Sequence, residues 1–473
     1  MKLKNRRVTR RGLAIAALAV VPVALLTALP ATAFADEHTP LGVSDETQFI
    51  FNTLAFLIWG ALVMWMCAGF TMLESGAVRT KNASMICLKN IGIFSIASLA
   101  YYFIGYNLMY VNVGDFIGSF ELLYGPSGAE LALLDAVADQ VEDVSGHVGD
   151  VVGNGYSVMS DWFFQMVFVA TAASIVSGAI AERVKMWVLF LFTLVLTGFI
   201  YPIVGAWYWG GGWLDQEGFV DFAGSTIVHS TGGWAALAGV LIIGPRLGKY
   251  RKNGTVKPTP PSNVLVVTLG VLILWLGWFG FNGGSQLALG SAADAVAMSN
   301  ILVNTNLAAA AGVVAALTVS RPIIGRMDLF AGLNGALAGL VSITAAPYIT
   351  EHWWAIIIGA IGGVICTLSI KGLEKLKIDD VVGAIPAHLV CGIWGTLAAS
   401  IAGGADFGTQ LIGVLAVGGF VFVVSAFVWK LLDVIFGLRV GLDAERLGQD
   451  TAELGIETYP EFVLMPEEFD DDA

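Results

Sequence analysis

The chain has 473 residues, 56% of them hydrophobic and 13% charged, with a mean hydropathy of +0.77. That apolar excess excludes a single soluble core and points to a polytopic membrane protein. The formal net charge of −13 is gathered in one loop and one tail, which excludes an electrostatic nucleic-acid binder.

Residues 1–35 read as a cleaved signal peptide, so the mature chain begins outside the cytoplasm. Arg6, Arg7, Arg10 and Arg11 form a basic start, Leu13 to Leu29 an apolar run, and Ala33-Phe34-Ala35 a cleavage site before Asp36. Hydropathy then predicts eleven spans, near 49–71, 90–112, 162–182, 187–207, 223–244, 262–284, 297–318, 328–347, 353–370, 381–403 and 408–436. The basic residues set the topology. Arg79, Lys81 and Lys89 are assigned to the first inside loop, Arg183 and Lys185 to the next, and "RLGKYRKNGTVK" (246–257) to the third. Arg321 and Arg326, then Lys371, Lys375 and Lys377, occupy the last two, while the stretch from Lys89 to Arg183 has acids but no Lys or Arg and reads as a large outside loop. The N-terminus is therefore placed outside and the C-terminus inside a cytoplasmic membrane. Cys67, Cys87, Cys366 and Cys391 lie in or beside apolar spans with no CxxC and are expected as free thiols.

An internal repeat is visible in two short stretches. "DFAGSTIVH" (221–229) and "DVVGAIPAH" (380–388) each place a histidine eight residues after an aspartate, and their spans run in opposite directions. This predicts an all-α fold with an inverted five-helix repeat, spans 1–5 against 6–10, plus an eleventh helix. Eight helical residues rise about 12 Å, which carries each histidine from an interfacial aspartate towards the middle of the membrane. Ionisable groups at that depth mark functional sites. Aromatic runs "FFQMVF" (163–168), "WYWGGGW" (207–213) and "WLGWFGFNGGS" (275–285) all point to one outside vestibule. They suit either interfacial anchoring or attraction of a small cation.

"DFAGSTIVHSTGGWAALAG", "WFGFNGGS", "VGAIPAHLVCGIWG", "SGAIAERV" and "GLRV" together resemble the motifs of the ammonium transporter superfamily (Amt/Mep/Rh), on the Amt side, over nearly the whole mature chain. The resemblance implies that Trp209, Phe168 and Ser285 form an outer ammonium site, that Phe168 and Phe281 form a ring gate, and that His229 and His388 line the pore and relay protons. It implies a pore-lining place for Trp278, a place in the inner half for Thr344, and a bracing role for Asp221. It also implies a homotrimer in membrane lipid and a tail from Gly437, after the transmembrane domain of residues 36–436, that can meet a PII signal protein. No cofactor and no metal are implied. His38, His147 and His352 are expected as solvated loop residues, and the acidic end "EEFDDDA" as a solubilising tail.

Energetics restrict the mechanism. Desolvating bare ammonium costs many kcal/mol, whereas a cation–π contact returns about 2 kcal/mol. The cation should therefore shed its proton and cross as ammonia, with potassium and sodium ions excluded because they have none to lose. Net transport of ammonia plus a proton is the leading expectation. The alternatives are an electroneutral ammonia channel, an ammonium sensor signalling through its tail, and an ion-coupled transporter of an organic solute. No nucleophile–base pairing supports an enzyme.

Overall fold

Residues 43–462 are described by the structure, a computed structural model. The proposed signal peptide and the acidic end of the tail lie outside the described residues. Among those described there is no β-strand, only two isolated bridges, Val184 with Arg439 and Tyr250 with Val256.

Ten described helices are long and apolar enough to cross a membrane, and an eleventh, of 15 residues, is shorter. In chain order they are α1 (Asp45–Ala77), α2 (Thr80–Tyr110), α3 (Val158–Ile180), α4 (Met186–Gln216) and α5 (Ser225–Ile243). After these come α6 (Val264–Gly284), α7 (Ala292–Ile324), α8 (Leu329–Ile343), α9 (His352–Lys375), α10 (Ile385–Ala402) and α11 (Phe407–Phe436). The expected eleven spans and all-α class are thus met. α3 is the most enclosed of the ten long helices, almost wholly buried, whereas α7 is the least buried of them. The former forms the centre of the bundle and the latter lies at its periphery.

The two halves repeat each other. Their first helices, α1 and α6, pack along each other, and their fifth helices, α5 and α10, cross. Thr226 Oγ1 and Thr396 Oγ1 lie 2.6 Å apart across that crossing, and Ser225 Oγ donates to Val341 O of α8 at 2.7 Å. Hydroxyl bonds of this kind join helices where lipid supplies no hydrophobic drive between them.

Several expectations need correction. Arg321, Lys371 and Lys375 lie in the last turns of α7 and α9 rather than in loops, because both helices run past the predicted ends of their spans. Lys89 does not lie in a loop: it is in α2, fully buried, with Nζ 3.4 Å from both Val184 O and Gln449 Oε1. His352 is not a loop residue either, because it opens α9 and its Nδ1 lies 2.8 Å from Asn304 Oδ1. The segment between α2 and α3 contains two short helices, Gly128–Ala138 and Ser145–Val152, and His147 belongs to the second. A capping box of Ser127 and Glu130 starts the first of them.

Candidate functional site

Each repeat reaches its histidine through the same local device. Asp221 precedes α5 rather than lying in it, and its Oδ2 accepts from the backbone N–H of Thr226 and of Ile227, both at 2.8 Å. Asp380 precedes α10 and accepts from Gly383 N at 3.0 Å and Ile385 N at 2.7 Å. Three residues after each aspartate is a left-handed glycine, Gly224 with φ +100° and Gly383 with φ +84°. Each helix then opens with a π-helical turn, Ser225–Ser230 and Ile385–Val390, and the turn carries the histidine. Because α5 starts at Ser225, His229 lies about 6 Å along it, not the 12 Å expected from Asp221. The non-helical segment before it is tolerated because it is buried in protein: Phe222 and Ala223 donate backbone bonds, both 3.0 Å, to Ala345 O and Thr344 O.

The histidines meet. His229 Nδ1 and His388 Nδ1 are 3.3 Å apart, and both residues are buried. A nitrogen pair at that distance holds one proton, one ring donating and the other accepting. His229 is stacked on Phe281 and on Trp278, with ring centres 5.1 and 4.9 Å away. Phe281 in turn lies 4.0 Å from Phe168, and Phe168 meets Trp209 edge-on at 6.1 Å. The rings therefore form a file from Trp209 to His388, in which Phe168 and Phe281 are buried and Trp209 is half-buried.

The remaining candidates flank this file. Ser285 caps the end of α6 and donates its hydroxyl to Phe281 O at 2.8 Å, so its lone pairs stay open. Trp209 Nε1 donates to Asp221 O at 3.2 Å, tying the aromatic mouth to the carboxylate turn. Trp278 Nε1 donates to Thr344 Oγ1 at 2.9 Å. Thr344 ends α8, accepts from Ala223 N at 3.0 Å and so braces Trp278.

Beyond His388 the structure opens. A small chamber of about 20 Å³, room for about one water, is lined by Phe70, Glu74, Ser174, Asn334 and Ala387 as well as His388. It shares Leu73, Asn334, Val382 and Gly383 with a vestibule of about 530 Å³ that also holds Lys249, Arg326 and Lys371. The basic end around it is locked by ion pairs. Arg246 Nε lies 2.8 Å from Asp379 Oδ2 and its Nη1 2.9 Å from Glu182 Oε1, while Arg79 also pairs with Glu182. Burial opposes both charges of the Arg246–Asp379 pair, yet their mutual bonding holds Asp379 well below the usual carboxylate range and Arg246 above its ordinary value. Burial lowers Arg183 to about 10, its guanidinium being spent on carbonyls that include Gly244 O and Asp379 O.

The model of the Ammonium Transporter Family matches residues 54–459. The chain belongs to the ammonium transporter family. It is 39% identical to the ammonium transporter Amt2 of Archaeoglobus fulgidus, covering 95% of this chain and 96% of that one. A putative ammonium transporter of Synechocystis is 40% identical over 87% of this chain and 89% of its own length. Among solved structures, one described as a sensor Amt protein superposes with a TM-score of 0.77 at 34% identity, covering 87% of this chain and all of that one. Candida albicans Mep2 gives 0.73 at 28% identity over 90% and 94%.

This ammonium transporter is a multi-pass membrane protein and not an enzyme. Its residues at the file of rings that the sequence reading did not select include Phe164, 4.8 Å from Phe168, and Phe70, 6.4 Å from His388. Phe164 stands four residues before Phe168, one helical turn away, and that spacing was the available signal. Glu74 was not signalled, because the first predicted span ends near residue 71 whereas the helix runs on to Ala77.

Proposed function

We propose that the aromatic end faces outside and the basic end the cytoplasm of a cytoplasmic membrane, with ammonium taken up at the former. Trp209, Phe168 and Ser285 recruit ammonium, the Ser285 oxygen accepting an N–H while the rings attract the charge. Phe168 and Phe281 part to admit it. Asp221 braces the mouth through Trp209 and the start of α5 and does not itself bind substrate. The proton is shed at the rings, because two contacts of about 2 kcal/mol each fall far short of the desolvation cost of the ion. Ammonia then passes His229 and His388, beside Trp278, and the proton follows along the shared Nδ1–Nδ1 contact, so that net ammonium and one charge cross.

The observation that carries this reading is the 3.3 Å pairing of two buried imidazoles at the end of an unbroken file of rings. Two imidazolium charges at that separation repel, so the pair titrates as one unit and passes one proton at a time. We extend the proposal to a homotrimer in membrane lipid, to removal of residues 1–35 as a signal peptide, and to a cytoplasmic tail from Gly437 that can meet a PII protein.

The test uses purified protein in liposomes on a solid-supported membrane, pulsed with ammonium or potassium. An ammonium current that potassium does not evoke, abolished or made unselective by His229→Ala with His388→Ala, is expected. An internal pH change without current would replace the reading by electroneutral ammonia conduction, and neither signal would leave sensing.

A further inference from the structure

The pore reading assigns no task to Glu74, yet its carboxyl group is buried, 1% exposed, in the wall of the chamber that His388 also lines. Its Oε2 accepts from Ser177 Oγ at 3.0 Å and from Asn90 Nδ2 at 3.4 Å, whereas Oε1 has no partner. An acid held this way is positioned by one oxygen and free to react with the other. Other titratable groups around it do not satisfy that oxygen. Lys89 of α2 spends its Nζ on Val184 O and Gln449, Cys67 of α1 bonds to Asn90 O, and His388 of α10 faces His229. The chamber's other polar walls are Ser174 of α3 and Asn334 of α8, both neutral.

We propose that Glu74 is the station at which ammonia emerging past His388 regains its proton, and that its Oε1 forms a second, inner ammonium-binding site. The inference rests on the pore reading proposed above. Ammonia takes the proton of the Glu74 carboxylic acid: the O–H bond breaks, an N–H bond forms, and ammonium stands beside a carboxylate. It departs through Asn334, Val382 and Gly383, which the chamber and the vestibule share. The carboxylate recovers a proton from the one shed at the aromatic mouth, delivered by the histidine pair through water in the chamber, so each cycle returns the acid to its starting state. Ser177 and Asn90 are positioning residues that hold Oε2.

The test compares wild type, Glu74→Gln, Glu74→Asp and His229→Ala with His388→Ala in liposomes, reading both ammonium-evoked current and internal pH. Glu74→Gln keeps a polar group for Ser177 and Asn90 but has no proton to give, so its current should fall roughly a hundredfold while ammonia entry persists. Glu74→Asp should keep a measurable current. A Glu74→Gln current equal to wild type, with the histidine variant impaired, would overturn this inference and leave the pore reading standing. An unimpaired histidine variant would overturn both. Should Glu74→Gln fail to fold, infrared difference spectra of wild type decide: ammonium must bleach a protonated-carboxyl band that is displaced in Glu74→Asp, and no bleach would refute the proposal.

Discussion

Asp221 and Asp380 stand in one relation to their helices: each carboxylate closes over backbone N–H groups at the start of the π-helical turn that presents a histidine. Asp221 Oδ2 receives two such bonds, from Thr226 and Ile227, and is fully buried. Asp221→Ala leaves two buried donors unpaired, at about 1–3 kcal/mol each. Its thermal midpoint in detergent should drop by far more than that of Asp221→Asn, whose amide oxygen can still accept. Equal melting of the two variants would mean that the carboxylate acts at the mouth and not as a cap.

The glycines in the two turns are not equivalent. A Cβ on Gly224 would stand 2.5 Å from Val228 Cγ2, whereas one on Gly383 would first meet Asn334 Oδ1 at 3.0 Å, and both sit at positive φ. Backbone strain of about 1–3 kcal/mol is common to both alanine variants. Only Gly224→Ala adds a collision beside His229, so it should be the less stable of the two and the more impaired in transport. Parallel melting curves and ammonium currents for the pair would refute that ranking.

Trp278 and Thr344 offer a separate test of the file of rings. Thr344→Val keeps the shape but leaves Trp278 Nε1 without its acceptor, in a buried site, at about 1–3 kcal/mol. Trp278→Phe combined with Thr344→Val should cost less than the sum of the two single changes, because the donor is then absent when its acceptor goes. A double-mutant cycle in thermal unfolding measures the coupling, and strict additivity would show that the bond contributes nothing.

Much of this was legible in the chain. Eleven apolar runs and the Asp-to-His spacing of eight were enough to expect an inverted repeat, because membrane length and helix rise fix where such residues fall. The depth of His229 was not legible: the left-handed Gly224 and the Asp221 cap move the helix start to Ser225, and hydropathy does not register a helix start. The bond from Trp278 to Thr344 was not legible either, because its two partners are on different helices, 66 residues apart. Lys89 was read as a loop marker because burial of a lysine beside Gln449 depends on the tail, more than 350 residues away, folding back. The motifs "SGAIAERV" and "GLRV" carried the resemblance without showing that they touch, yet Lys185 N donates to Leu438 O at 2.9 Å and Val440 N to Arg183 O at 3.0 Å.

The basic end should respond to acid. Asp379 is held below the usual carboxylate range, so its contribution is fully present above its unfolded value of about 3.9 and is lost as pH falls through its lower folded value. Wild type should therefore lose thermal stability below roughly pH 4, and Asp379→Asn should lose less of it over that range. Arg246→Ala removes the two-armed partner of buried Asp379 and leaves Glu182 to Arg79, and should cost about 3–5 kcal/mol at neutral pH. A pH profile of Asp379→Asn that parallels wild type would assign the acid sensitivity elsewhere.

The tail is attached by a cap of its own. Asp450 Oδ1 accepts from Met85 N at 2.7 Å and Oδ2 from Ser84 N at 3.0 Å, so a tail carboxylate satisfies N–H groups in the first turns of α2. Thr458 Oγ1 donates to the same Oδ2 at 2.7 Å, and Lys81 Nζ reaches Glu445 O at 2.7 Å. Asp450→Ala removes the acceptor on which Ser84, Met85 and Thr458 converge, at about 1–2 kcal/mol for the cap alone. The tail from about residue 448 should then be cut faster by a protease added to the detergent-solubilised protein, while α1–α11 stay intact. Asp450→Asn, which can still accept one of the bonds, should fall between. Unchanged cleavage in Asp450→Ala would show that the contacts of Arg439 with Ile243 O and Glu445, both at the start of the tail, hold it without help from α2.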